Sequence, residues 1–529
     1  MPEPRPEASE PSRGYRGFVL AVLMLVYLLN VVDRQILSIL NERIKADLAL
    51  SDAQMGFLFG TAFAIFHAVF GLPLARLADV WVRRSLITAG LAFWSVMTAL
   101  SGLASGFGQL AALRIGLGIG EATSTPAGYS LISDYFAPRR RATAIAVFAS
   151  GALLGGGTGI LVGGLAVGWW DAAWEAGRAP LGLTGWRVAF LLVGLPGLVL
   201  ALVVRLLHEP LRGAADGLAP PAAEPHPFQA FLLELRAVVP PFSLLQLARL
   251  GAGRRGVARN LAAAVVITVV AAALVAATGD RAQWVALGIG TYAAFSWMQA
   301  LRLRDPVAAA LTFGTPSLRL GCVGFACVAM LSQAFGYWTA PLLIRHHGAS
   351  YAQLGATLGA LQIATGWAGV TCGGLLADAW RRRSPRGRLA VGVVSALGTV
   401  PFGLTLAWAG DLRCAYAASA GLYFFSALWI GVGPTVIQEL VLPRMRAIAA
   451  SFYGIVFTFL GYAIGPYLVG KLSDATGDLR AALTGILLGA PAAIALLALA
   501  MRHVAHDEAT LRERARAAGE RSAGDVVDF

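Results

Sequence analysis

Fourteen predominantly apolar runs, each about as long as a helix must be to cross a bilayer, constrain this chain more than any other feature. A hydrocarbon core of ~30 Å takes about 20 apolar residues in a helix. The runs lie near 16–39, 53–76, 85–105, 107–132, 141–168, 186–208, 258–278, 281–302, 317–343, 352–377, 388–409, 412–438, 446–470 and 478–502. Only 13% of the 529 residues are charged. Water-soluble domains carry about 25%, so a string of such domains is excluded. The expected fold class is an all-α polytopic membrane protein.

The formal charge of +13 raises nucleic acid as a partner, but the basic residues are nearly all arginine, Lys45 and Lys471 being the lysines. They cluster beside apolar runs: Arg83 and Arg84; Arg139 to Arg141; Arg254, Arg255 and Arg259; Arg302 and Arg304; Arg381 to Arg383; Arg444 and Arg446. These sites fall on alternate loops, the bias by which arginine fixes orientation. Nucleic acid is therefore excluded, and both termini are expected to be cytoplasmic, in a multi-pass protein of a bacterial inner membrane. The opposite loops mix charges, as from Glu42 to Asp52, or are very short. Residues 1–14 are polar and proline-rich, so no cleavable signal is expected ahead of the first run. Cys322, Cys327, Cys372 and Cys414 show no metal or disulfide spacing, and neither a metal nor a cofactor is expected.

An internal repeat organises the chain. GLPLARLADVWVRR (Gly71–Arg84) is answered by GGLLADAWRRR (Gly373–Arg383), and DYFAPRRRATA (Asp134–Ala144) by ELVLPRMRAIA (Glu439–Ala449). Asp378 follows Asp79 by 299 residues and Arg446 follows Arg141 by 305, which implies two homologous six-helix halves. The expected organisation is a cytoplasmic tail (1–15), an N-terminal bundle (16–208), a centre (209–316), a C-terminal bundle (317–502) and a cytoplasmic tail (503–529). The centre holds a proline-rich stretch (Ala219–Phe228), a cytoplasmic amphipathic segment near Phe231–Leu250 and two extra spans. Their even number keeps the second half upright.

These residues resemble the major facilitator superfamily. The loop ending GLLADAWRRR is close to that family's signature after the second helix of each half, whereas ARLADVWVRR has Ala75 and Val82 where glycines are usual. YLLNVVDRQILS (Tyr27–Ser38) and LRIGLGIGEATSTPAGYSLISDYF (Leu113–Phe136) resemble the Spinster branch, whose members move lysophospholipids and sphingosine phosphates. The resemblance covers twelve helices. It implies the major facilitator fold, two pseudo-symmetric six-helix bundles, here with two extra transmembrane helices between them.

Charges inside a membrane are functional candidates by default. Helical rise puts Asp33 and Arg114 at similar depth, so they are expected to pair, while Arg34 points ~100° away toward substrate or a different acid. Glu121 lies seven residues, about two turns, below Arg114 on nearly the same face. Desolvation there disfavours the charged carboxyl, which suits Glu121, with Asp33, to proton coupling; the competing reading is a protonated packing residue. For Asp33 and Arg114 the alternative is a static clamp, and an anionic headgroup competing for Arg114 would open it. Asp79, Arg83, Arg84, Asp134, Arg141, Asp378, Glu439 and Arg446 are expected to form charge networks that gate the cytoplasmic side, topology being their plainer role. The run GALLGGGTGILVGG (Gly151–Gly164) signals close helix packing; the superfamily places an antiporter motif here, but Gly156 stands where that motif has proline. Arg114, Arg34, Gln333, Tyr337 and Trp338 are the candidate substrate contacts. His67 reads as a packing residue.

The expected function is alternating-access secondary transport, proton-linked, of an amphiphilic anionic lipid by a monomer whose partners are that lipid, protons and membrane lipids. The alternative is a proton-coupled exporter of drugs or small organic anions. A membrane-embedded lipid enzyme lacks a nucleophile or metal constellation in the spans, and a non-transporting receptor has no use for the three buried charges.

Overall fold

A computed structural model describes residues 12–174, 178–216, 224–239 and 241–520. The N-terminal half comprises α1 (Arg13–Leu48), α2 (Asp52–Phe59), α3 (Thr61–Val80), α4 (Arg83–Ser101), α5 (Phe107–Glu121), α6 (Ser124–Tyr135), α7 (Pro138–Ala173) and α8 (Gly185–Arg205). The centre holds α9 (Pro227–Val238), α10 (Phe242–Arg249), α11 (Gly253–Thr278), α12 (Arg281–Arg304) and α13 (Pro306–Gly314). The C-terminal half comprises α14 (Pro316–His347), α15 (Tyr351–Arg381), α16 (Gly387–Ala407), α17 (Leu412–Ala427), α18 (Val432–Glu439), α19 (Arg446–Val456), a π-helical stretch (Phe457–Ile464), α20 (Gly465–Thr476), α21 (Leu479–Ile486) and α22 (Gly489–Ala509), then α23 (Leu511–Ala517).

Among the described residues, eleven helical stretches are long and apolar enough to cross a membrane. The other three expected runs are helical too, as α4, as α5 with α6, and as α12. Arg114 and Glu121 interrupt the second of these, and Arg281, Gln283, Gln299 and Arg302 the third. The first part of the proline-rich stretch, residues 219–223, lies outside the described residues, as do residues 1–11 and 521–529 of the two tails. The amphipathic segment is not confined to a surface. Its α9 buries Val238, with Leu235 and Val239 beside it, against Ile65 and Val69 of α3 and Ala293 of α12.

The apolar core divides unevenly along the membrane normal. One cluster joins the two halves, with Ile36, Leu40 and Leu58 beside Trp338, Leu343 and Leu354. Toward the arginine-rich end the halves have separate cores, one around Leu77, Trp94 and Phe148, the other around Phe325, Leu389 and Leu497. The bundles therefore meet at the end opposite the arginine loops and part toward those loops.

Glycine decides how closely they meet. Along α7, Gly151 and Gly155 face α1, where an added Cβ would lie 2.5 Å from the carbonyl oxygens of Met24 and Leu28. Gly157 and Gly164 face α15 across the half-to-half boundary, 2.3 and 2.4 Å from the carbonyl oxygens of Gly359 and Tyr351. Small residues let backbones approach where side chains would hold them apart. Gly60 does the same at the break between α2 and α3, against the Tyr462 carbonyl of the π-helical stretch at 2.4 Å. Gly164→Leu is expected to destabilise the protein by about 1–3 kcal/mol through overpacking, visible as a lower melting temperature in detergent. Gly374→Leu, at an exposed site where an added Cβ meets nothing within 4 Å, leaves it unchanged.

Candidate functional site

Two polar assemblies lie between and within the halves, one near mid-membrane and one at the end opposite the arginine loops. The first is built on α1 and α5. Arg34 and Glu121 form an ion pair, Nε to Oε2 at 3.2 Å, with Glu121 fully buried and the Arg34 side chain 17% exposed. Arg34 donates from Nε to the Asn30 carbonyl at 3.3 Å and from Nη2 to Asn30 Oδ1. The contact with Glu121 is thus Coulombic rather than an aligned hydrogen bond, and both carboxylate oxygens lack a hydrogen-bond partner. Asn30 in turn donates to Ser124 Oγ at 3.3 Å. The Arg34 guanidinium lies 4.9 Å from the centre of the Phe63 ring, within cation–π range.

The expected pairing of Asp33 with Arg114 needs correction. Arg114 Nη1 donates to the Asp33 backbone carbonyl at 2.9 Å, while the Asp33 carboxylate turns toward Thr98 and Trp94 of α4. Both side chains are 2% exposed, and Asp33 Oδ1, Arg114 Nε and Arg114 Nη2 have no partner. The guanidinium packs 5.4 Å from the Phe190 ring centre. Depth from helical rise placed these residues together, but the rotation of α1 presents its backbone to α5. That same rotation carries Arg34 to the different acid, Glu121. His67 Nδ1 reaches the Gly118 carbonyl at 3.2 Å, tying α3 to α5 as a packing residue does.

The second assembly clasps the two halves together. Arg345 of α14 grips Asp52 bidentately, with both Nη to Oδ distances 2.6 Å, and reaches Glu42 at 2.7 Å. Lys45 and Ser473 also donate to Asp52, each at 2.6 Å. Asp474 of α20 accepts from the backbone N–H groups of Asp52 and Ala53 at 2.9 and 2.8 Å. The C-terminal half thus supplies an anionic cap to the first turn of α2, where orphan donors and the helix dipole favour one.

Tyr337 and Trp338, expected to contact substrate, belong to this closure. Tyr337 is fully buried, accepts from Asn41 Nδ2 at 2.7 Å, donates to the Met55 carbonyl at 3.3 Å and stacks on Phe59. Trp338 donates to the Pro466 carbonyl at 2.9 Å. Ser38 and Gln35 of α1 bond the Tyr337 and Gly336 carbonyls at 2.6 and 3.0 Å. In this conformation Tyr337 seals rather than lines a cavity, because its partners Asn41, Met55 and Phe59 lie in the opposing half, whereas Trp338 is held within its own half by Pro466. Gln333, one turn earlier on α14, is half-buried.

The proposed gate residues at the arginine-rich end form two networks, one on each half and the chain that directly follows it. Arg83, fully buried, pairs with Asp134 and with Glu209, the latter at 2.8 Å. Arg84 donates to the Leu207 carbonyl at 2.6 Å, and Arg141 pairs with Asp216 at 2.8 Å. In the other half Arg388 holds Glu439, and Asp378 at 3.2 Å, while Arg381 holds Glu508 at 2.9 Å. Asp79 and Arg446 are exposed and make no ion pair among the described residues, a departure from the expected network. The repeat explains the replacement: Arg83 and Asp134 are 51 residues apart, and so are Arg388 and Glu439. That spacing would have found Arg388. The clasp was missed because a mixed-charge loop gives no sign of which half it contacts.

A model of the Major Facilitator Superfamily matches residues 23–466. An MFS-type efflux pump of Mycolicibacterium smegmatis is 28% identical over 468 residues, 88% of this chain and 86% of that protein. Protein spinster homolog 1 of Bos taurus is 26% identical over 490 residues, 88% of this chain and 74% of that protein. A bacterial homolog of the human lysosomal transporter Spinster, solved in an inward-facing and occupied conformation, superposes with a TM-score of 0.69 at 23% identity, covering 94% of this chain and 99% of that one. The likeness in structure establishes the shared fold.

Removing Arg345 leaves Asp52 and Glu42 without a cationic partner in the C-terminal half. In a protein whose native cysteines are replaced, labelling of Ser38→Cys by a maleimide added from the clasp side is expected to quicken about tenfold when Arg345→Gln is added, the shift set by losing ~1.4 kcal/mol of charge-assisted bonding.

Proposed function

The chain belongs to the major facilitator superfamily, whose members are transporters rather than enzymes, and we propose that it moves an amphiphilic anionic lipid of the lysophospholipid or sphingosine-phosphate kind by proton-linked alternating access. The observation that carries this reading is the Arg34–Glu121 pair, in which a half-buried guanidinium is held by a sealed carboxylate. A phosphate headgroup matches a guanidinium in a bidentate way, so it competes with Glu121 for Arg34. Glu121, stripped of its counter-charge in a desolvated place, then takes a proton. Substrate and proton are linked through one arginine.

Arg34, and not Arg114, is the headgroup contact in this reading, since Arg114 lies beneath the Asp33 carbonyl and the Phe190 ring. The unpartnered atoms of Asp33 and Arg114 are suited to pair when α1 turns in the other conformation. As the clasp opens, the two arginine-rich networks are proposed to meet and close their end. With both termini cytoplasmic in a bacterial inner membrane, the described conformation is inward-facing.

Similarity to Spinster proteins supports the lipid substrate. Similarity to the mycobacterial efflux pump supports the second reading, export of drugs or small organic anions. Uptake of a labelled anionic lysophospholipid into proteoliposomes separates them. Wild type is expected to accelerate under a pH gradient, Glu121→Gln to lose that dependence, and Arg34→Gln to need about tenfold more lipid for half-maximal uptake. Unchanged gradient dependence in Glu121→Gln rejects the proton role. No lysolipid movement by wild type moves the reading to the exporter.

A further inference from the structure

Where the inserted helix α12 leans on the N-terminal half, a groove of about 690 Å³ runs inward from the clasp end. Its walls are apolar, with Phe57 of α2, Phe66 of α3, Phe107 and Ile115 of α5, and Ile289 of α12. Two side chains on this wall carry donors that the fold leaves without an acceptor. Gln283 is 1% exposed, and its Oε1 accepts from Thr61 at 2.6 Å, yet its Nε2 has no partner. Arg281, two residues toward the end of α12, is exposed, and its guanidinium makes no ion pair among the described residues. Its neighbour Asp280 is already held by Lys471 at 2.8 Å and by Tyr467 Oη at 2.8 Å.

The surroundings determine what covers the groove. Val285 and Ile289 on its rim are 49% and 42% exposed on a helix at membrane depth, so lipid is their solvent. An acyl chain completes the apolar wall. A glycerol ester carbonyl gives Gln283 the acceptor that a buried amide donor requires, and a phosphodiester gives Arg281 its counter-charge at the interface. The order along α12, cation, then amide, then apolar wall, is the order of phosphate, ester and chain in a phospholipid.

We propose that this groove is a binding site for one diacyl phospholipid with an anionic headgroup, drawn from the leaflet at the clasp end. Its phosphate sits on Arg281, its ester carbonyl accepts from Gln283, and one chain lies between Phe57, Phe107 and Ile289. The site stands apart from the Arg34–Glu121 pair and does not rest on the transported substrate. Tyr467, from the C-terminal half, lines it together with α2 and α5, so an occupied groove bridges both halves and favours the clasped conformation.

The test is native mass spectrometry of the full chain, delipidated in detergent and titrated with phosphatidylglycerol. Wild type is expected to retain one molecule in preference to diacylglycerol, which has the chains without the phosphate. Arg281→Gln is expected to weaken retention about tenfold, the loss of a charge-assisted contact, with the lipid-free melting temperature unchanged. Ala112→Trp, which projects a ring into the groove from an exposed position on α5, is expected to abolish it. Equal retention of phosphatidylglycerol and diacylglycerol, or equal retention by wild type and Arg281→Gln, overturns the proposal. The exposed Arg281 decides the matter even if Ala112→Trp does not fold.

Discussion

Arg34 and Glu121 stand 3.2 Å apart at membrane depth, and neither charge is tolerable there alone. Removing one partner from a buried pair typically costs 3–5 kcal/mol, so any event that takes Arg34 must also settle the charge on Glu121. The surroundings keep that choice open. Asn30 occupies the aligned donors of Arg34, leaving Glu121 bound by Coulomb attraction and not by directed hydrogen bonds. Its two oxygens remain available to a proton. The guanidinium retains access to open space, and the carboxylate has none.

The larger architecture fixes which end of the bundle that pair communicates with. A shared apolar core and the Asp52–Arg345 clasp seal one end, and separate cores leave the halves parted toward the other. Two irregular segments meet at this transition. The α2–α3 break at Gly60 faces the π-helical stretch Phe457–Ile464, and Thr61 shares its one hydroxyl proton between the Ala463 carbonyl, at 2.8 Å, and Oε1 of Gln283 on the inserted α12, at 2.6 Å. One hydroxyl therefore joins the N-terminal half, the C-terminal half and the insertion. The insertion is built into the seam between the halves, with α11 as its lipid-facing outer member.

Much of the fold was legible because its signals are periodic and local. Run length gave the spans, arginine on alternate loops gave the common side, and motifs near a 300-residue offset gave the two halves. Pseudo-symmetry is realised in matching ion pairs, Arg83–Asp134 and Arg388–Glu439, although Arg388 lies outside the motif that announced the repeat. Depth was legible and rotation was not. Helical rise placed Asp33 level with Arg114 correctly, but a small turn of α1 exchanges carboxylate for carbonyl and delivers Arg34 to Glu121. Tyr337 and Trp338 were identified as consequential, yet the role of Tyr337 depends on Asn41 and Met55 of the opposing half, whose proximity is a property of one conformation. Arg345, Asp52 and Asp474 are distant in sequence, and no spacing announces such a contact.

The linkage between headgroup and proton is the central claim, and it is measurable without a membrane gradient. In weakly buffered detergent solution, binding of an anionic lysophospholipid to the wild-type protein should be accompanied by uptake of a fraction of a proton up to about one, as Glu121 loses Arg34. The uptake should vanish in Glu121→Gln while binding persists. Lipid binding with no proton taken up by the wild type, or with the same uptake in Glu121→Gln, would contradict the account.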